Sequence, residues 1–408
     1  MRIPTSFLYE QNIRAINNNQ NDLVKTQEQL STLKRINDPS DDPIGAAKVI
    51  RLTETIDKLT QFQRNNDLFQ SSIEQQEVVL TNITDSLQRA RVLTIQAGSG
   101  IFSQSDREAI AAEVEQIRNE VFDLFNAQNA NGEYIFSGYQ SNTQAYDFNP
   151  ASANSFEYLG DAGTNTVRLS DSVEVRSSVS GQQVFENALA RFNYDVTGVS
   201  GTASVSDTVI TQQGTFDQFY ENNYDALNPA NNDFQFTILG SGDIQLTNVG
   251  TGAIVSTQSF TSGQPFTVNG AQFTIEGSAG DTVDLSLRAP EKKNVAETLN
   301  DLVIALQDPS SSDSDLREAI ADALVGIDNG TADIAQEVSS IGGRLNTAQS
   351  IYETNLDLEI VNAEARSEIE DTDFAQASAD FSRQEAALEA VLTTFPRISN
   401  LSLFNFIS

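Results

Sequence analysis

Four clusters in this sequence hold residues that could do chemistry. Asp38, Asp41 and Asp42, within Asp38-Pro39-Ser40-Asp41-Asp42-Pro43, could bind a cation, and Asp328-Asn329-Gly330 resembles a fragment of a calcium loop. Gly98-Ser99-Gly100 could approach a phosphate, and Glu368, Glu370, Asp371 and Asp373 could act as an acid–base group. Each cluster meets a simpler account. Asp42 before Pro43 is an N-cap followed by a first helical residue. The calcium loop needs ligands at alternate positions before its glycine and a Glu at its end, and neither is present. The glycine pair lacks the Gly-Lys-Ser/Thr ending of a phosphate loop and serves as a helix stop. The late acidic group stands at the start of the last helical segment, where negative charge complements the helix dipole.

Residue types narrow the chemistry further. The chain has no His, no Cys and no Trp, and one Met. Zinc sites of the common kinds, the Ser-His-Asp triad and thiol nucleophiles are therefore excluded. Only carboxylate, Lys or Tyr chemistry remains open. The expectation is a chain that is not an enzyme and has no catalytic, cofactor-binding or metal residues.

The elements that would position any site are mostly helical. At 408 residues the chain has room for two or three domains. Its net charge of −33 argues against nucleic acid and against anionic membrane surfaces. No run of 18 apolar residues exists to span a membrane. The first dozen residues lack an apolar core of signal-peptide length, so export would use another route than general secretion. The absence of cysteine suits a protein that crosses between compartments.

Residues 12–35 and 372–408 carry apolar positions at coiled-coil spacing. The first seam is Ile13, Ile16, Leu23, Leu30 and Leu33; the last is Phe374, Ala377, Phe381, Leu388, Val391, Phe395 and Ile398, interrupted by Gln384. A seam of this kind needs a second helix to cover it. Nothing adjacent in the chain does so, and each end is expected to cover the other or a neighbouring molecule.

Between the ends, a helix is predicted over about residues 44–97, a rod of about 80 Å at 1.5 Å per residue. Its seam is Leu52, Leu59, Phe62, Phe69, Ile73, Leu80, Ile83, Leu87 and Ala90, with Asn66 and Gln76 as polar interruptions. A third helix is predicted over 106–130, with Ile110, Val114, Ile117, Val121 and Leu124, closed by Asn131-Gly132. The period then changes to two in Tyr134-Ile135-Phe136, Val167-Arg168-Leu169 and Val173-Glu174-Val175. Residues 190–290 are poor in charge and hold alternating segments at 234–238, 244–246, 266–268, 273–275 and 283–287. Helices are predicted again over 294–307, 316–327 and 331–368.

The fold class is α+β: a long coiled-coil-like helical bundle from both chain ends, with hairpins and an inserted all-β domain at its tip. The expected division is terminal helices at 1–40 and 370–408 as an inner assembly domain, a helical rod with β-hairpins at 41–189 and 289–369, and a β insert at 190–288.

The ends also carry a resemblance. Met1-Arg2-Ile3-Pro4-Thr5, Gln29-Leu30-Ser31-Thr32-Leu33-Lys34-Arg35-Ile36-Asn37 and Asp38-Pro39-Ser40-Asp41-Asp42-Pro43 resemble the amino end of flagellin-like proteins. Ile341-Gly342-Gly343-Arg344-Leu345-Asn346, Ile369-Glu370-Asp371-Thr372-Asp373 and Leu401-Ser402-Leu403-Phe404-Asn405-Phe406-Ile407 resemble the carboxyl end. Tyr134-Ile135-Phe136-Ser137-Gly138-Tyr139 and residues 156–185 match the hairpin region of the hook-associated protein 3 branch, which the Met-Arg-Ile opening and Leu-Ser-Leu-Phe ending favour over flagellin.

This resemblance implies a structural subunit of the bacterial flagellum, joining hook-associated protein 1 to flagellin. It implies a ring of like subunits, an export chaperone, type III export without a cleaved signal peptide, and no cofactor, nucleic acid or membrane partner. The assembly interface would use Ile13, Ile16, Leu23, Leu30, Phe374, Phe381, Leu388, Val391, Phe395, Leu403 and Phe404.

Two departures stand out. Leu33 occupies a position where the family usually has Gly, which predicts that the first helix runs on toward Asn37. Pro396 removes a backbone hydrogen bond and is expected to bend the final dozen residues. The rival readings are flagellin itself and a β-domain adhesin or enzyme on a helical stalk. The last would need paired carboxylates in the β region, where only scattered Asp243, Glu276, Asp281 and Asp284 stand.

Overall fold

The computed structural model describes residues 5–99, 103–152 and 154–404, with the backbone alone for residues 5, 6, 8, 9 and 395–404. Residues 1–4, Gly100 and residues 405–407, which carry parts of the motifs above, lie outside the described residues. The elements run α1 (Thr5–Thr32), α2 (Pro43–Ala97), α3 (Gln104–Phe125), β1 (Tyr146–Phe148), β2 (Phe156–Tyr158), β3 (Thr166–Arg168), β4 (Glu174–Arg176) and α4 (Gly181–Phe185). They continue with β5 (Tyr194–Ser200), β6 (Ser204–Ile210), α5 (Gln213–Asn223), β7 (Asp233–Ile238), β8 (Asp243–Asn248), β9 (Ile254–Ser259), β10 (Pro265–Val268), β11 (Ala271–Glu276) and β12 (Thr282–Leu287). Three helices close the chain: α6 (Val295–Gln307), α7 (Asp313–Glu370) and α8 (Phe374–Phe404). The fold class is α+β, with long helices from both ends and a β-rich middle.

The residues gather into two units. One comprises Met1–Asp67, Arg168–Glu174 and Ala348–Ser408; the other comprises Leu68–Val167 and Val175–Thr347.

In the first unit, amide side chains fasten the turn between β3 and β4 to the helices. Asn65 Nδ2 donates to the Arg168 carbonyl at 2.9 Å and Asn355 Nδ2 to the Leu169 carbonyl at 3.0 Å. Asn66, a polar interruption of the α2 seam, is fully buried and donates to the Ala348 carbonyl at 2.7 Å. A buried amide that finds a carbonyl fixes the register of two helices in a way that an apolar side chain does not.

In the second unit, Phe69, Ile73, Leu80, Ile83, Leu87 and Ala90 of α2 are all buried, as the heptad spacing requires. Gln76 is buried there too and donates to the Ser177 carbonyl at 2.9 Å. α3 packs on α6. Between these helices Arg118 is buried, with Nη1 donating to Asn300 Oδ1 at 2.7 Å. An aromatic cluster closes the loop region: the rings of Phe125 and Phe185 stack at 4.1 Å, with Phe136 edge-on to Phe185 at 5.1 Å and Tyr146 tilted against Phe125 at 4.9 Å.

Three sequence expectations are corrected. α3 ends at Phe125, before the predicted Asn131-Gly132 stop. The Asn126 amide draws the chain off: Oδ1 accepts the Tyr146 N–H at 2.9 Å and Nδ2 donates to the Tyr146 carbonyl at 3.0 Å. Tyr134-Ile135-Phe136 is a set of turns with one bridge, Gln128 to Tyr134, instead of a strand. Its alternation arises because Phe136 plugs the aromatic cluster.

The third correction concerns residues 316–368, which form a single helix through Asp328-Asn329-Gly330. Gly326 and Gly330 of α7 serve close packing there. A Cβ on Gly326 would lie 2.7 Å from Thr298 Cγ2, and one on Gly330 would lie 3.2 Å from Val295 Cβ, both on α6. Gly326→Ala should therefore destabilise the protein by roughly 1–3 kcal/mol through overpacking, although Ala is the better helix former by about 1 kcal/mol. Chemical denaturation decides the sign, and a gain in stability would show that α6 yields freely.

The strands from Tyr194 to Leu287 share one core. β5-β12-β7-β8-β9 form one antiparallel sheet and β10-β11-β6 another. Phe234, Phe236, Ile244, Leu246, Phe273, Ile275, Val283, Leu285 and Leu287 alternate inward, joined by Phe216 and Tyr220 of α5. The low-charge sequence did not betray β5, β6, β9 or α5.

Each sheet has an irregular border. β6 carries an extra residue, Ser206, between the partners of Thr274 and Ile275. β5 carries an extra Thr197 opposite Asp284 and Leu285, and β9 an extra Val255 opposite Leu246 and Thr247. β10 begins at Pro265. The chain enters and leaves this region through adjacent strands, with the Ala190 N–H donating to the Glu291 carbonyl at 2.9 Å and the Lys293 N–H to the Ala188 carbonyl at 2.8 Å.

Candidate assembly interface at the paired terminal helices

α1 and α8 pack on one another. The coverage is partial. Ile13, Ile16, Leu23 and Leu30 on α1, and Phe381, Leu388 and Val391 on α8, are all half-buried, while Phe374 is 61% exposed. Full burial along the pair is reached by Thr26 and Ala377. Gln384 places Oε1 in the seam without a hydrogen-bond partner. An unpaired buried acceptor costs roughly 1–3 kcal/mol, which weakens a pair that already leaves apolar surface uncovered. Phe395, Leu403 and Phe404 belong to α8, but their side chains lie outside the described residues. α8 continues through Pro396 to Phe404, so the proline interrupts the ladder without ending the helix.

The roots of the two helices are clamped together. α1 stops at Thr32, and Leu33 takes a left-handed conformation with φ of 59°. The expectation that leucine would carry α1 on toward Asn37 is thus overturned. The reason is tertiary: the turned chain pairs with the segment before α8. Lys34 and Asp371 form an antiparallel bridge, the Thr372 N–H donates to the Leu33 carbonyl at 3.0 Å, and the Arg35 N–H donates to the Glu370 carbonyl at 2.6 Å. Arg35 Nη2 also donates to the Ile369 carbonyl at 2.7 Å, and Lys34 pairs with Glu370.

The acidic clusters find their uses here. Asp42 Oδ1 accepts the Gly45 N–H at 2.9 Å and caps α2; Asp373 Oδ1 accepts the Ala375 N–H at 2.9 Å and caps α8. Asp41 accepts from Lys25 Nζ at 2.9 Å and from the Asp38 N–H at 3.2 Å. The hydrogen bond from Lys25 chiefly, then the Asp38 backbone, holds the Asp41 carboxyl below its usual range. Its contribution is present above the ordinary carboxylate pKa and is lost as pH falls through the lowered one. Glu368 and Glu370 close α7 and do not stand at the start of the last helix as expected, because the helix runs on to its pairing with residues 33–35. Glu370 is taken by Lys34 and by Arg366, Asp371 accepts from Ser367, and Glu368 is exposed.

Away from this region, Asp328 pairs with Arg91, and Asp281 accepts the Ser278 N–H at 2.8 Å. Asp284 accepts from Gln235 at 2.7 Å and Asp243 from Ser241 at 2.9 Å. Among the described residues no group of three acidic side chains is placed to hold a metal ion, and no helix is long and apolar enough to cross a membrane.

The clamp was not foreseen from the sequence. Its signal was a basic pair, Lys34-Arg35, directly after the first helix and an acidic pair, Glu370-Asp371, directly before the last.

Comparison with known proteins places these helices. Residues 3–141 match the bacterial flagellin N-terminal helical region. Flagellar hook-associated protein 3 of Salmonella typhimurium is 33% identical over 187 residues, 46% of this chain and 57% of that protein. The chain thus spans just over half the length of that relative. The solved hook-associated protein 3 of Legionella pneumophila superposes with a TM-score of 0.60 at 24% identity, over 79% of this chain and 98% of that one. The fold is that of hook-associated protein 3. The flagellar junction protein FlgL of Legionella pneumophila gives the same picture, with a TM-score of 0.57 at 24% identity over 79% of this chain and 99% of that one. The flagellin-type match spans α1, α2 and α3, and so includes Leu33 and the first half of the clamp.

Proposed function

We propose that this chain is a structural subunit of the bacterial flagellum, joining hook-associated protein 1 at the hook to the flagellin filament. On this reading it leaves the cell through the flagellar type III apparatus, with a chaperone holding its carboxyl end, and assembles outside the cell as a ring of like subunits. It performs no catalysis. The observation that supports the reading is the α1–α8 pair, whose apolar seam is incompletely covered within one chain and would leave the rest to a neighbour. The fold of hook-associated protein 3 and the flagellin-type helical region support it. Ile13, Ile16, Leu23, Leu30, Phe374, Phe381, Leu388, Val391, Phe395, Leu403 and Phe404 are the proposed contacts. The β region, residues 190–288, is proposed as an insert that takes no part in them.

Antibody labelling of isolated flagella, viewed by electron microscopy, tests the proposal. A single band at the hook–filament boundary is expected. Label along the whole filament would make the chain a flagellin instead, and no label on flagella would overturn the reading.

A further inference from the structure

We propose that residues 33–35 form a joint with two states: bent and clamped as observed, or straight, with α1 extended through Leu33 to Asn37. Two non-glycine residues have positive φ among the described residues, Leu33 at 59° and Asn269 at 48°. Asn269 precedes Gly270 in a tight hairpin, where asparagine accepts this conformation readily. Leu33 has no such excuse. Leucine is among the best helix formers and a poor left-handed residue. Its own side chain is 57% exposed and gains little packing from the bend, whereas Ile36, on the turned segment, is buried and helps to hold it.

The bend persists because of what it joins. The Thr372 N–H to Leu33 carbonyl bond, the Arg35 N–H to Glu370 carbonyl bond, the Arg35 guanidinium on the Ile369 carbonyl and the Lys34–Glu370 pair all exist only in the bent form. Straightening gives the Leu33 carbonyl and the Arg35 N–H new backbone partners and leaves the Thr372 N–H and the Glu370 carbonyl to water. By the helical rule the Arg35 N–H would bond the Ser31 carbonyl, and the Leu33 carbonyl would accept from the Asn37 N–H. Pro39 sets the limit, since the residue before a proline disfavours helix. The extension covers residues 33–37 and adds about 7.5 Å to α1. The local sequence thus favours one state and the clamp favours the other, whatever the chain assembles with.

The test uses the full chain, amide exchange at Thr372 and backbone carbon shifts at residues 34–37, with the Leu80 amide as a monitor of global opening. Leu33→Gly and Leu33→Asn both relieve the left-handed strain and weaken the helical alternative. Each should slow Thr372 exchange, by roughly tenfold for glycine. Glu370→Gln weakens the clamp and should speed that exchange at least threefold, with helical shifts appearing at Arg35 and Asn37 and Leu80 unchanged. Unchanged or faster Thr372 exchange in both Leu33 variants would overturn the proposal. So would a Glu370→Gln variant whose residues 34–37 become coil, or which shows no change at Thr372.

Discussion

A double Phe381→Ser, Leu388→Ser variant is expected to be made and secreted but to stay out of the assembled flagellum, with flagellin lost to the medium from hooks that lack filaments. Fully burying a Phe or Leu side chain is worth roughly 1.5–3 kcal/mol. Both residues are partly buried against the rest of one chain, so at most about a third of that gain remains for a neighbour to supply. The single chain loses the covered part from its α1–α8 pair, which should open more readily, while the melting transition of the second unit, which these residues do not belong to, should stay in place. In the proposed ring every subunit would lose both contacts at once, which would multiply the defect. Secretion assays and filament counts decide the matter. Normal filaments would end the terminal-seam account, and a collapse of the isolated chain would mean that the seam is ordinary core.

Phe185→Ala should have the opposite profile, with a large loss of stability in the free chain. Its ring is buried, stacked on Phe125 at 4.1 Å and met by the edge of Phe136 at 5.1 Å. Removal leaves a cavity that three other aromatic rings cannot fill without breaking their own geometry. The cost is about 3–5 kcal/mol for the cavity and transfer terms, which lowers the melting midpoint by around 10 °C in a unit of this size. Phe185→Leu keeps most of the volume and should cost under about 2 kcal/mol. Calorimetry on the two variants separates them. Equal, small effects would show that the aromatic cluster is loosely packed.

The long seams were legible because their information is local and repeated. Phe69 through Ala90 recur at heptad spacing over six turns, and each ends up buried. Asn66 and Gln76 were visible as interruptions, yet nothing in the sequence named the Ala348 and Ser177 carbonyls that receive them. Asp328-Asn329-Gly330 read as a break because glycine lowers helix propensity; the neighbouring α6, which needs bare backbone at Gly326 and Gly330, reverses that inference. Leu33 misled in the same way. Its intrinsic preference was read correctly, and pairing with residues 369–372, over 330 positions away, overrode it.

The β strands with inward phenylalanines declared themselves by alternation. β5, β6 and β9 did not, because an inserted residue in each, Thr197, Ser206 and Val255, breaks the alternation of their few Tyr, Val and Ile positions. Of the candidate interface, the apolar positions were readable and the clamp that aligns them was not.

The irregular strands have one more implication. The two sheets have four open borders, on β5, β9, β6 and β10, and every one is spoiled: three by an inserted residue, the fourth by a proline at its start. A flat border is an adhesive strip, ready to zip onto any matching strand. Insertions twist it and proline removes a donor, so that a second chain finds no regular ladder to continue. In a population of identical molecules held side by side by their helices, such strips would be pressed together constantly and would fuse. In the proposed assembly, blunting all four would let copies crowd without cross-linking and would leave the contacts to the helices.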